Sequence, residues 1–234
     1  MDGLKDLHIG IILDGNRRWA RTKGLKDTDG HIEGAKTFKE IAKYAQDIGL
    51  GYLTVYAFST ENWNRSKQEV SLLMRLFVEY LKDYSKKAKE DNIRVRVIGT
   101  REKLSDSLLK AIQNCEDLTK DCTGLSLNVC INYGSRYEIT NAVKMIAREV
   151  KEGNLEIDNI TEETISNHLY TKDIKDPDLV IRTIGELRLS NFLMWQNAYS
   201  EFLFIKKNWP DFKKEDLDLA IEEYKKRHRK FGAN

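Results

Sequence analysis

Proline is nearly absent from this sequence: only Pro177 and Pro210 occur in 234 residues. No Gly/Ser-rich linker, internal repeat or low-complexity tract divides it, so one domain spanning 1–234 is the economical reading. Cysteine is scarce as well. Cys115, Cys122 and Cys130 are too widely spaced for a CxxC motif, and an odd number leaves one thiol unpaired, which fits reduced thiols in a cytosol. No apolar run reaches the roughly 18 residues that cross a bilayer. The opening Met1-Asp2-Gly3-Leu4-Lys5-Asp6 carries acids where a signal peptide has an apolar core. The expectation is a cytoplasmic protein, with room for peripheral contact with a membrane surface. Charge of one sign is also lacking: 39 Lys and Arg against 37 Asp and Glu leave a net charge of +2, too little to argue for nucleic acid.

What is present is alternation. Short β-rich runs at His8–Leu13, Tyr52–Phe58, Ile93–Ile98, Leu125–Ile131, Leu179–Arg182 and Glu201–Phe204 are separated by longer stretches with helical spacing. The helix candidates are Gly34–Ile48, Ser66–Asn92, Ser105–Thr119, Tyr137–Gly153, Thr161–Tyr170 and a charged tail from Lys214 to Lys230. In Ser66–Asn92 the residues Val70, Leu73, Met74, Phe77, Tyr80, Leu81 and Tyr84 form one apolar stripe. Strand–helix alternation predicts an α/β fold, a mostly parallel sheet with helices on both faces. In such a sheet ligands sit beyond the carboxyl ends of the strands.

Three polar constellations follow predicted strands, and a fourth opens one. The first is Asp14-Gly15-Asn16-Arg17-Arg18, continued by Trp19 and by Gly30-His31-Ile32-Glu33-Gly34. Glycine lets backbone approach a ligand, arginine forks onto phosphate oxygens, and a carboxylate can share a magnesium ion with them. Taken alone, the pentapeptide equally fits a polar turn with a solvated basic pair. His31, just ahead of the predicted helix, is placed to hydrogen-bond an anion at a helix N-terminus. The second constellation is Ser59-Thr60-Glu61-Asn62-Trp63-Asn64-Arg65, where Ser66 and Glu69 suffice for a helix cap and leave Asn62 and Arg65 for other work. The third, Arg182 to Phe192, carries Arg182, Glu186, Arg188, Leu189 and Ser190; two arginines so spaced suit a diphosphate, or a salt-bridged loop. The fourth places Glu201 at the start of an apolar strand, where an acid needs a cation, a metal or an arginine. Three arginine-bearing strand ends on one rim favour an anionic ligand.

In order and spacing these segments resemble the cis-prenyltransferase (undecaprenyl diphosphate synthase) family. The resemblance runs from His8-Ile9-Gly10-Ile11-Ile12-Leu13-Asp14-Gly15-Asn16 to Trp209-Pro210-Asp211-Phe212. It includes Gly30-His31-Ile32-Glu33-Gly34, Phe58-Ser59-Thr60-Glu61-Asn62-Trp63, Asn132-Tyr133-Gly134, Asp176-Pro177-Asp178-Leu179, Arg182-Thr183, Gly185-Glu186 and Ser190-Asn191-Phe192. It implies a parallel six-stranded sheet, a homodimer and a magnesium-dependent isoprenyl transferase. The reaction implied condenses isopentenyl diphosphate onto an allylic diphosphate such as farnesyl diphosphate. Each new double bond is cis, and the product is a polyprenyl diphosphate such as the undecaprenyl diphosphate of cell-wall synthesis. By resemblance Asp14 would bind magnesium and assist loss of the allylic diphosphate, and Glu201 would complete the metal site. Gly15, Asn16, Arg17 and Arg18 would hold that diphosphate, with Trp19 and His31 beside them. Ser59, Thr60 and Glu61 would line the site. Asn62 would accept a proton, with Trp63 and Arg65 close by. Arg182, Arg188, Leu189 and Ser190 would hold the isopentenyl diphosphate.

The chain has no adjacent Asp-Asp pair, so the Asp-rich motif of trans-prenyltransferases is missing. It also departs from the family pattern. Ile184 stands where serine or glycine is usual, and a bulky β-branched residue there is expected either to push on the phosphate loop or to fix its backbone. Asp27 stands where many members carry arginine and is expected to repel a diphosphate, with Lys26 as the nearest compensation. Arg17 replaces a common glycine. The alternative to an enzyme is a non-catalytic relative serving as a binding or scaffold subunit. Such a relative should have lost the metal acid, the site asparagine or the phosphate arginines; Asp14, Asn62, Arg182, Arg188 and Glu201 are all present.

Overall fold

The computed structural model describes residues 3–227. Six strands, β1 (His8–Ile12), β2 (Tyr52–Ser59), β3 (Arg94–Ile98), β4 (Ser126–Tyr133), β5 (Leu179–Arg182) and β6 (Glu201–Phe204), form one sheet in the order β3-β4-β2-β1-β5-β6. Every neighbouring pair is parallel. The helices among the described residues are α1 (Asn16–Thr22), α2 (Asp27–Asp47), α3 (Lys67–Glu90), α4 (Asp106–Thr119), α5 (Ser135–Lys151), α6 (Glu162–Asn167) and α7 (Lys214–Lys225). None is long and apolar enough to cross a membrane.

The strands read as continuous apolar runs because both of their faces are covered, as parallel sheets require; all five residues of β1 and all eight of β4 are buried. Alternation divides the side chains between two clusters. Ile9, Ile11, Leu53, Val55, Leu127 and Val129 meet Phe38, Leu81, Leu108 and Leu217 from α2, α3, α4 and α7. Ile12, Tyr56, Cys130 and Val180 meet Tyr133, Phe192 and Leu193 on the other face. All three cysteines are free thiols, two of them buried.

Three differences from the sequence expectations bear on the site. A seven-residue helix, α1, forms directly after Asp14-Gly15. Helix α2 starts at Asp27 instead of Gly34: the Asp29 carboxylate accepts the Lys26 amide at 3.0 Å, and Asp27 and Asp29 complement the helix dipole in the first turn. His31 therefore sits inside a helix, not ahead of one. Gly30 and Gly34 serve packing of α1 on α2. A Cβ at Gly30 would lie 2.0 Å from the Asn16 carbonyl oxygen, and one at Gly34 would lie 2.3 Å from Asn16 Oδ1. The tail helix ends at Lys225, with Lys226 as its cap, short of the expected Lys230; residues 228–230 of that expectation lie outside the described residues.

The topology fixes where a ligand goes. From β1 the chain moves to β2 on one side; from β5 it moves to β6 on the other. The crevice between the carboxyl ends of β1 and β5 is thus the switch point of the sheet.

Candidate active site

At that crevice Asp14, two residues beyond β1, meets Arg182, the last residue of β5. Arg182 Nη2 donates to Asp14 Oδ2 at 2.8 Å; the Arg182 side chain is only 4% exposed and that of Asp14 is 35% exposed. The Gly15 amide donates to Asp14 Oδ1 at 3.0 Å. Thr183 ties the strand ends together: its Oγ accepts the Asp14 amide at 2.9 Å and donates to the Asp14 carbonyl at 2.6 Å. Arg182 also donates through Nη1 to Ser190 Oγ at 2.7 Å and to the Arg188 carbonyl. One buried guanidinium thereby holds Asp14 and the far end of the 183–190 loop in a single arrangement.

A cavity of about 500 Å³ opens from this crevice and runs between α2, α3 and the sheet. Its mouth carries Asp14, Asn16, Arg17, Arg18, Arg21 and Arg65; its depth is lined by Phe38, Leu73, Phe77, Tyr80, Leu81 and Ile131. Polar charge at one end and hydrocarbon at the other define an amphiphilic ligand with a polyanionic head.

The cations are held by acids that stand among them. Glu69, on the first turn of α3, accepts His31 Nε2 at 3.0 Å and Arg65 Nη1 at 2.9 Å, and lies 3.8 Å from Arg17. Ser66 Oγ caps α3 through the Glu69 amide at 3.3 Å, so the expected cap forms, but Arg65 is engaged rather than spare. Burial holds the His31 pKa below its ordinary value, against the opposing pull of Glu69. Asp27 accepts Arg17 Nε at 2.9 Å and both Arg21 Nε and Nη2 at 2.8 Å. Those hydrogen bonds, Arg21 first, bring its carboxyl down to about 2. The neutralisation expected from Lys26 comes instead from Arg17 and Arg21. Glu186 pairs with Arg188 at 2.5 Å and lies 3.9 Å from Arg18.

Of the residues singled out from sequence, Asp14, Gly15, Asn16, Arg17, Arg18, His31, Ser59, Asn62, Arg65, Arg182 and Ser190 line the one cavity. Asn62 Oδ1 accepts the Ser59 amide at 3.1 Å, and Trp63 Nε1 donates to Asn132 Oδ1 at 2.7 Å, which orients the turn carrying both. Glu61 sits at the rim on Asn191 Nδ2 at 2.8 Å, next to Thr60. Trp19 is buried and donates to Asp211 at 2.8 Å, a packing role. Arg188 and Leu189 lie on the loop outside the cavity lining.

Glu201 is not brought to Asp14 within one chain. It starts β6, level with Leu179, while Asp14 lies past the level of Arg182. Five residues of extended chain separate the two, about 16 Å along the strands. Here Glu201 accepts Arg227 Nη1 at 2.9 Å. Sequence reasoning missed Arg21, Glu69 and the apolar lining from α2; the Arg17–Arg21 spacing of four on a helix was the available signal for the first.

The sequence matches the undecaprenyl diphosphate synthase family model over residues 12–232. It is 51% identical over 225 residues, 96% of this chain and 89% of the other, to the isoprenyl transferase of Staphylococcus saprophyticus. It is 48% identical to the ditrans,polycis-undecaprenyl-diphosphate synthase of Micrococcus luteus, over 96% of this chain and 90% of that one. The crystal structure of lavandulyl diphosphate synthase from Lavandula x intermedia, in complex with dimethylallyl diphosphate, superposes with a TM-score of 0.94 at 38% identity, covering 98% of this chain and 99% of that one. This chain belongs to the undecaprenyl diphosphate synthase family and is an isoprenyl transferase.

Proposed function

We propose that the protein condenses isopentenyl diphosphate onto an allylic diphosphate such as farnesyl diphosphate, forming cis double bonds and a polyprenyl diphosphate. The observation that carries this is the cavity beyond β1 and β5, with arginines and Asp14 at its mouth and an apolar depth between α2 and α3. A relative of nearly the same shape binds dimethylallyl diphosphate, which supports an allylic diphosphate at this mouth.

In the proposed reaction the allylic tail occupies the apolar depth. Asn16, Arg17 and Arg18 receive its diphosphate, while Arg182, Arg188 and Ser190 hold the isopentenyl diphosphate. The allylic C–O bond breaks and diphosphate leaves with the electron pair. A C–C bond forms between the allylic C1 and the isopentenyl terminal carbon C4, and positive charge builds at C3. C2 then loses a proton toward Asn62 to make the new C2=C3 double bond. Negative charge develops on the leaving oxygens, where preorganised guanidiniums stabilise it.

The residues fit magnesium. The Asp14 carboxylate is one-third exposed at the mouth, and among the described residues no three His, Cys, Asp or Glu side chains form a cage. That donor set suits an ion held by one or two carboxylates plus substrate phosphates. Bound there, magnesium would supply charge stabilisation for the departing diphosphate. Glu201, remote from Asp14 in its own chain, reaches a metal site through a homodimer in which one chain's Glu201 serves the other chain's Asp14. The cytoplasm, with a product that contacts the membrane surface, is the proposed setting.

The test is incubation of purified protein with magnesium, farnesyl diphosphate and radiolabelled isopentenyl diphosphate. Label should appear in organic-extractable polyprenyl product; no incorporation with any of several allylic primers overturns the assignment. Asp14→Ala should lower turnover by orders of magnitude with an unchanged circular dichroism spectrum.

A further inference from the structure

Asp27 is an acid at the lip of a site built for polyanions, and simple charge counting makes it a defect. We propose instead that Asp27 is a positioning residue that strengthens binding of the allylic diphosphate by holding Arg17 and Arg21 toward the cavity. Arg17 and Arg21 are four apart on α1, so their guanidiniums project side by side and repel. Both line the cavity, whereas Asp27 does not. Its carboxylate stands behind them with both oxygens committed: Oδ1 to Arg21 Nε, and Oδ2 to Arg21 Nη2 and Arg17 Nε, all within 2.9 Å. Arg17 keeps both terminal nitrogens free of Asp27, and Arg21 keeps Nη1. Glu69 approaches Arg17 only to 3.8 Å. The acid therefore fixes two long, exposed side chains without consuming the donors that face the ligand.

Two opposed effects follow, of different size and sign. Repulsion between Asp27 and a phosphate about 7 Å beyond it is worth roughly a twofold loss in affinity across water. Charge-assisted hydrogen bonds from two pre-aimed guanidiniums are worth about tenfold or more. Positioning wins, so removing the negative charge should weaken binding of a negatively charged substrate.

The inference rests on the reading that the cations around Asp14 hold the allylic diphosphate, and the experiment separates the two. Steady-state kinetics are measured for Asp27→Asn, a near-isosteric change, and for Arg17→Gln/Arg21→Gln, each with a thermal melt. The expectation for Asp27→Asn is a rise of about fivefold to tenfold in KM for the allylic substrate, with kcat and the KM for isopentenyl diphosphate within about twofold. A surface ion pair that served stability alone would shift the melt and leave that KM in place. If the double arginine variant raises the allylic KM and Asp27→Asn leaves it unchanged or lowers it, the role of Asp27 is overturned and the diphosphate site stands. If the double arginine variant leaves the allylic KM unchanged, the assignment of the diphosphate site fails, and the role of Asp27 with it.

Discussion

The two ends of the sheet are built from the same six strands and in opposite ways. At the amino ends, polar groups are paired off. The His8 ring donates through Nδ1 to the Lys175 carbonyl at 2.5 Å, and its Nε2 accepts the Thr54 hydroxyl at 2.7 Å. Thr54 in turn accepts Asn128 Nδ2 at 3.1 Å. Asp178 accepts both the His8 amide at 2.9 Å and Lys175 Nζ at 2.7 Å. At the carboxyl ends, backbone takes left-handed conformations at Gly15, Asn132, Ile184, Ser190 and Asn191. Buried polar atoms there, Asn16 Oδ1 and Arg182 Nε, have no partner in the protein. Left-handed backbone also occurs on the amino-end side, at Asn92 and Asp173, and Asp91 Oδ2 there has no partner among the described residues. The buried polar cluster around His8 is nonetheless paired off and serves stability. At the carboxyl ends the left-handed backbone surrounds unspent hydrogen-bonding capacity inside a cavity and serves a ligand.

The largest effects should come from the carboxyl end and appear in turnover. Arg182→Ala removes the partner of Asp14 and the clamp on Ser190, so incorporation of isopentenyl diphosphate should fall by about a thousandfold. Arg182→Lys should recover little, because a point charge cannot fork to Asp14 and Ser190 together. A variant within tenfold of the parent would show that this rim does not carry the chemistry. Glu201 blurs the contrast, since it lies at the amino end while its expected partner lies at the other. In the proposed homodimer, Asp14→Ala and Glu201→Ala chains, each expected to be inactive, should regain about a quarter of the parental activity when mixed and reassorted, because half of the dimers would be mixed and each would hold one intact site. No recovery would place Glu201 outside the metal site.

Much of this was legible in the sequence, and the gaps have physical causes. The alternation of apolar runs gave all six strands, because strands buried on both faces leave an uninterrupted signal. Helix α1 was invisible: seven residues beginning at Asn16 carry two adjacent arginines and no apolar stripe beyond Trp19 and Ala20, and packing of Gly30 and Gly34 against Asn16 forms it. Asp14, Arg182 and Ser190 were legible because they follow strand ends. Their joining through one guanidinium was not, since it depends on the β1–β5 neighbourhood across about 170 residues of chain. In the sequence Glu69 looks like part of a helix cap and Asp27 like a repulsive charge. A local sequence pattern shows the sign of a charge and not the direction in which its partners lie.

A second effect, of moderate size, should appear at the amino end and in stability alone. Burial brings the His8 pKa from 6.5 to about 4. The folded state therefore favours neutral His8, while the unfolded chain takes up a proton near pH 6.5. Its contribution is complete above pH 6.5 and is lost as pH falls toward 4, on the order of 3 kcal/mol in total. Urea unfolding at pH 7, 6, 5 and 4 should show this slope, and His8→Gln should flatten it while kcat at pH 7.5 stays within twofold of the parent. His168 has the opposite sign, because its hydrogen bond to Glu149 raises its pKa; that contribution is present below pH 6.5 and fades above it. A steep acid slope that survives His8→Gln would shift the burden to His31, whose pKa burial also lowers.

The smallest effect isolates the strain itself. Ile184 holds φ 66 and ψ 0, a conformation that costs a β-branched residue about 1–2 kcal/mol. Its amide is pinned to the Lys207 carbonyl at 2.8 Å. Its Cγ2 would lie 2.6 Å from a Cβ added at Gly15, so the loops that carry Gly15 and Ile184 press on each other. Ile184→Gly relieves the backbone and loses some packing and unfolded-state restriction, for a net gain of about 1 kcal/mol and about 2–4 °C in Tm. Gly15→Ala, at φ 105 and against Ile184, should cost about 2 kcal/mol. In the Ile184→Gly background that cost should shrink by at least about 0.5 kcal/mol, the coupling expected of residues in contact. A lower Tm for Ile184→Gly would mean that the side chain stabilises this loop more than its backbone strains it, and the carboxyl end would then owe its character to unpaired polar groups and not to stored strain.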